Sequence, residues 1–74
     1  MATMIIGAGL VGSQIARILV ERGERPVLFD RAAQPAALGE IVDFAKVDLV
    51  CGDVLRPFML AEAIRRHGVT DVVH

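Results

Sequence analysis

The sequence predicts an α/β fold with four parallel strands in the order 3-2-1-4, the first half of a doubly wound sheet. Three observations predict it. Short apolar runs alternate with segments of helical period, each firm helical segment closes on a glycine, and 74 residues hold one folding unit. Strands and helices in strict alternation imply right-handed crossovers between parallel strands.

The first strand is the run Thr3-Met4-Ile5-Ile6, stopped by Gly7-Ala8-Gly9. It is short and partly β-branched, as a strand buried on both faces is. From Leu10 to Arg22 the period changes, with Val11, Ile15, Ile18 and Leu19 on one side and Gln14, Arg17 and Glu21 on the other. That amphipathic helix stops at Gly23, and Pro26 forbids its continuation. Pro26-Val27-Leu28-Phe29-Asp30 is the second strand, ending in a carboxylate. Arg31 to Gly39, rich in Ala, Pro and Gln and interrupted by Pro35, reads as a loop with room for one helical turn. Glu40 to Lys46 suits a short helix or an extended approach equally. Val47 to Cys51 is the third strand, closed by Gly52-Asp53. Pro57 sits well at a first helical position, Leu60, Ala61 and Ile64 make an apolar face up to His67, and Gly68 is the stop. Asp71-Val72-Val73-His74 opens a fourth strand.

Composition narrows the function classes. Hydrophobic residues make up 54% of the chain and mean hydropathy is +0.54, which excludes a disordered tail. A chain this apolar and this short is expected to need more cover than it supplies, from self-association or from a C-terminal continuation over the open sheet edge. Ending on a fourth strand reads as truncation, so residues 1–74 are expected to be the N-terminal part of a larger unit. Net charge is −1 with the basic residues scattered, so neither nucleic acid nor an anionic membrane is an expected partner. There is no Tyr or Trp, and Lys46, Ser13 and Cys51 are each the only residue of their kind. One cysteine forms no intrachain disulfide and no thiolate cluster, and no apolar run approaches membrane-spanning length; the expected location is the cytoplasm.

Gly7-Ala8-Gly9-Leu10-Val11-Gly12 is a GxGxxG stretch, a weak signal alone. Context strengthens it: a strand precedes it, a helix opens on it, and Asp30 closes the next strand 18 residues after Gly12. In a Rossmann-type dinucleotide-binding unit Gly7 makes the tight turn, Gly9 admits a pyrophosphate to the backbone, and Gly12 lets helix and strand pack closely. The amides around Gly9, Leu10, Val11 and Gly12 and the helix dipole supply the attraction for phosphate. Asp30 would accept from the adenosine ribose hydroxyls and repel a 2′-phosphate, favouring NAD over NADP; Arg31 beside it could pair with such a phosphate and pulls the other way. A plain strand-to-helix turn is the bland reading of the same glycines. Asp53, an acid shortly before a helix, is on spacing alone a capping or turn residue. Cys51 reads as a small strand residue, His67 as a cation at a helix C-terminus, and His74 has no companion ligand, so no zinc site is expected.

Met4-Ile5-Ile6-Gly7-Ala8-Gly9-Leu10-Val11-Gly12-Ser13, the Asp30 strand end, Cys51-Gly52-Asp53-Val54 and the closing Gly68-Val69-Thr70-Asp71-Val72-Val73-His74 together resemble extended short-chain dehydrogenases/reductases, most of all the NAD-dependent epimerase/dehydratase group acting on nucleotide sugars. The resemblance spans essentially all 74 residues but only the opening of such a protein. It implies that Asp53 accepts from the adenine amine and that the Val54 amide meets a ring nitrogen. It places His74 just before an Ala-rich stretch that lines the cofactor. The family's catalytic Ser or Thr and its Tyr-x-x-x-Lys pair have no counterpart in these residues, so the chain alone is expected to be inactive. One departure stands: the extended subgroup carries GxxGxxG, whose first glycine would fall on Ile6. Nucleotide-sensing modules that gate potassium transport are similar too, beginning with strand, GxGxxG, helix and strand-Asp, and they are the alternative expectation.

Overall fold

The computed structural model describes residues 2–31 and 36–74. Four strands, β1 (Ala2–Ile6), β2 (Val27–Asp30), β3 (Asp48–Cys51) and β4 (Val69–Val73), form one sheet in the order β3-β2-β1-β4. Every pairing is parallel, as expected for half of a doubly wound sheet. Three helices connect the strands: α1 (Leu10–Glu21), α2 (Ala36–Ile41) and α3 (Pro57–His67), with a 3₁₀ turn at Phe44–Lys46 before β3.

Register and the period-two alternation of strands sort the side chains between two faces. Ile5, Leu28 and Leu49 lie across from one another and pack with Ala16, Leu38, Val42 and Val47 under α1 and α2. Met4, Val27, Phe29 and Val50 pack on the opposite face against Leu60, Ala63 and Ile64 of α3. Both faces of β1 and β2 are therefore buried, which explains why those strands read as continuous apolar runs. Among the described residues, β4 pairs only with β1 and β3 only with β2. At the β1–β4 seam the register slips by one residue between Ala2 and Thr3, and Thr70 Oγ1 donates to the Ala2 carbonyl there at 3.4 Å.

Three sequence expectations are corrected. The stripe that α1 turns to the sheet is Ser13, Ala16, Leu19 and Val20 with Ile15, whereas Val11 and Ile18 are exposed. Small residues at 12, 13 and 16 let the helix axis approach the strands, and close approach outweighs the larger apolar surface of Val11 and Ile18. On α3 the covered positions are Leu60, Ala63 and Ile64, while Ala61 is exposed. The segment expected to be a loop with one helical turn gives its last four residues to a helix, α2, that starts after Pro35 and continues through Glu40 and Ile41, where a short helix was one of the two readings; Leu38, and Val42 just beyond the helix, are buried in the core. Residues 32–35 of that expected loop lie outside the described residues. Gly68 closes α3 with φ +63°, a left-handed conformation that only glycine adopts freely.

Near the amino ends of β2 and β3, one arginine ties three groups together. Arg25 donates to Asp48 Oδ1 at 3.0 Å, to the Ala45 carbonyl at 2.8 Å and to the Val47 carbonyl at 3.2 Å. Asp48 shares a face with Val27 and so also reaches His67 Nδ1, at 3.7 Å, in the last turn of α3. His67 was expected to serve as a cation at its helix end; the structure adds an acid on a neighbouring element within its reach. No described helix is long and apolar enough to cross a membrane.

Candidate dinucleotide site

The carboxyl ends of β1, β2 and β3 converge with the amino end of α1, the position where open α/β sheets take ligands. β1 stops at Ile6 because Gly7 turns the chain at φ +90°, a conformation costly for any residue with a Cβ. Gly7 N–H still donates to the Phe29 carbonyl at 2.9 Å, so the turn begins on the β2 ladder. Gly9 is the N-cap of α1, in extended conformation and without a side-chain cap, and the first helical bond runs from Ser13 N–H to the Gly9 carbonyl. By position, the amides of Leu10, Val11 and Gly12 have no acceptor within the helix. Leu10 and Val11 are exposed there.

Of the three glycines Gly12 is the crowded one, while a Cβ at Gly7 or Gly9 would meet nothing within 4 Å. A Cβ at Gly12 would fall inside the contact distance of the Gly7 carbonyl oxygen and 3.3 Å from Ile5 Cγ2, so helix and strand meet only because position 12 has no side chain. The space in front of Gly9 is open to an incoming group, and a side chain there would fill it.

Asp30 lies on the face of β2 that carries α1, at the strand end. Its Oδ2 accepts from Ala8 N–H at 2.7 Å. This revises its sequence-based description: the carboxylate is a brace for the glycine turn as well as a group at the cleft mouth. A charged acceptor on a partly buried amide is worth about 1.5–3 kcal/mol, so Asp30 has structural weight that a purely ligand-facing acid lacks.

Two adjoining clefts frame this turn. One, of about 390 Å³, runs along Gly7, Gly9, Leu10, Val11 and Gly12 toward Val73. The other, of about 320 Å³, is walled by Gly7, Asp30, Arg31, Gly52 and Val54 over the Phe29 ring. Both lie within the size range of ligand pockets, and they share Ile6, Gly7 and His74. Of the residues expected from sequence, Gly7, Gly9, Leu10, Val11, Gly12, Asp30, Arg31 and Val54 are brought together.

Asp53 is not on either wall. Its Oδ1 accepts from Leu55 N–H at 2.9 Å and its carbonyl from Arg56 N–H at 2.9 Å, the turn geometry that spacing alone assigns to such an acid. Sequence reasoning also missed two contributors. His74 lines both clefts; the resemblance put it only next to the cofactor-lining stretch, not on the site. Gly52 is buried, and a Cβ there would fall 2.6 Å from the Phe29 ring; the Gly-Asp step after the third strand was the available signal. Cys51 is an exposed free thiol whose Sγ lies 3.2 Å from the Arg31 carbonyl. No group of three or more metal-ligating side chains occurs among the described residues. Neither a scan against models of known protein families nor a search of curated proteins gives a match to this chain.

Proposed function

We propose that this chain binds the ADP half of a nicotinamide dinucleotide, NAD in preference to NADP, at the amino end of α1. The observation that carries the reading is the trio of glycines. Gly7 has the positive φ, Gly12 the forbidden Cβ and Gly9 the open approach, the three separate demands a pyrophosphate-binding turn makes. Asp30 at the adjoining cleft supports NAD, because its negative charge suits ribose hydroxyls and opposes a 2′-phosphate. Gly52 and Val54 would wall the adenine side. Asp53 would reach the adenine only by giving up its bond to Leu55 N–H.

The enzyme class rests on the resemblance to nucleotide-sugar epimerases and dehydratases, where the bound nicotinamide accepts and returns a hydride. This chain's own residues supply binding and orientation. With no tyrosine in the sequence, the family's acid/base has no counterpart, and the 74 residues by themselves are expected to turn nothing over. Calorimetric titration of the folded chain with NAD, NADP and ADP tests the proposal. One-to-one binding of NAD, with ADP retaining most of the affinity and NADP binding more weakly, is the expected result. A folded chain that takes up none of the three overturns the reading, and a clear NADP preference overturns the assignment of Asp30.

A further inference from the structure

Ser13 is the only serine in the chain, and it is fully buried inside α1. A buried serine within a helix ordinarily bonds back to the carbonyl four residues earlier. Ser13 Oγ reaches one residue further back and donates to the Ala8 carbonyl, at 3.2 Å and outside the helix, while the Gly9 carbonyl keeps the ordinary helical bond from Ser13 N–H. The glycine turn is therefore gripped by side chains at two successive peptide units. Asp30 holds the N–H of the unit joining Gly7 to Ala8, and Ser13 holds the carbonyl of the unit joining Ala8 to Gly9.

The second grip has a directional consequence. In a trans peptide the C=O and N–H point in opposite directions, and the chain has no cis bond among the described residues. With the Ala8 oxygen turned inward to the helix body, the Gly9 N–H is turned outward, past the helix end.

We infer that Ser13 is a positioning residue for the diphosphate: through the Ala8 carbonyl it aims the Gly9 amide at the phosphate before ligand arrives. The inference rests on the dinucleotide reading above and adds to it a side chain that never touches the ligand. An amide already aimed spares the ligand the cost of ordering it, which is the general advantage of a preorganised site. A hydroxyl that merely satisfied itself in the core would affect every ligand alike. One that aims the Gly9 amide affects the phosphates and leaves the nucleoside alone.

The test compares adenosine with ADP on the wild-type chain and on Ser13→Ala. Adenosine is expected to bind both proteins equally, and ADP to bind the variant roughly five- to tenfold more weakly, the worth of one hydrogen bond. Equal weakening of both ligands, or unchanged ADP affinity, overturns the inference while leaving the dinucleotide reading in place. A wild-type chain that binds neither overturns both. Should Ser13→Ala fail to fold, the wild-type protein decides: the Gly9 amide resonance is expected to move with ADP and hold still with adenosine. A Gly9 signal that ignores ADP, or that moves equally with adenosine, overturns the inference.

Discussion

Replacing Gly9 with valine and, separately, Gly12 with alanine puts a Cβ on either side of one turn. At position 12 the new carbon strikes the Gly7 carbonyl, a backbone group that cannot swing aside, with Ile5 Cγ2 close behind. Overpacking of this kind costs about 1–3 kcal/mol, and a backbone obstacle places it at the upper end. Alanine returns about 1 kcal/mol of helix propensity, leaving a net loss of about 2 kcal/mol. For a chain of this size each kcal/mol moves the midpoint by roughly 4–8 °C, so Gly12→Ala should melt about 10 °C lower. At position 9 the new side chain enters open space, and φ −75°, ψ −164° is a conformation valine accepts. Its only folding cost is a poorer N-cap, about 1 kcal/mol or less. The same side chain occupies the phosphate approach, and affinity for NAD should fall by roughly a hundredfold or more, about 2.7 kcal/mol. Thermal unfolding followed by circular dichroism, paired with calorimetric titration, reads both quantities. If Gly9→Val melts as far below wild type as Gly12→Ala does, or binds NAD as tightly as wild type, the division of labour among the glycines is wrong.

Other outcomes follow from single contacts. Asp30→Ala should lower both stability and NAD affinity, because the Ala8 amide loses its acceptor; Asp30→Asn keeps an oxygen for that amide and should melt a few degrees higher than the alanine variant. Equal melting points for the two would remove Asp30 from the support of the turn. Arg25→Ala releases the Asp48 carboxylate and two carbonyls and should cost about 1–2 kcal/mol, only part of it sensitive to salt since the carbonyl bonds are little screened. A loss abolished entirely by high salt would mean that the ion pair alone matters. Gly52→Ala presses a methyl against Phe29 in the core and should cost about 1–3 kcal/mol; a neutral variant would show that the ring moves freely.

Much of this architecture was legible because the decisive signals are local. The switch from apolar runs to helical period at Leu10, the proline opening α3 at Pro57 and the glycine closing it at Gly68 are properties of a few adjacent residues, and the structure places the elements there. Sheet order follows from the parallel crossovers. What sequence could not give depends on depth and on distant partners. The stripe of α1 was misread at Val11 and Ile18 because hydrophobicity does not report that Gly12, Ser13 and Ala16 are small enough to bring the axis close to the sheet. The first part of α2 hid behind the Ala-rich stretch after Pro35, because the burial of Leu38 there, like that of Val42 beyond it, is a tertiary contact. At the site, the glycines and Asp30 were legible as a spaced motif. The bond between Asp30 and the Ala8 amide spans 22 residues, and the inward Ser13 hydroxyl looks in sequence like any small helical residue. For Asp53, spacing and resemblance pointed different ways, and the bond to Leu55 N–H follows the spacing.

A crystal structure of the chain grown with NAD bears most directly on the account as a whole. The pyrophosphate is expected within hydrogen-bond distance of the amides that open α1, facing Gly9, with the adenosine ribose on Asp30. Density for the coenzyme elsewhere on the sheet, or a phosphate held away from Gly9, would contradict it.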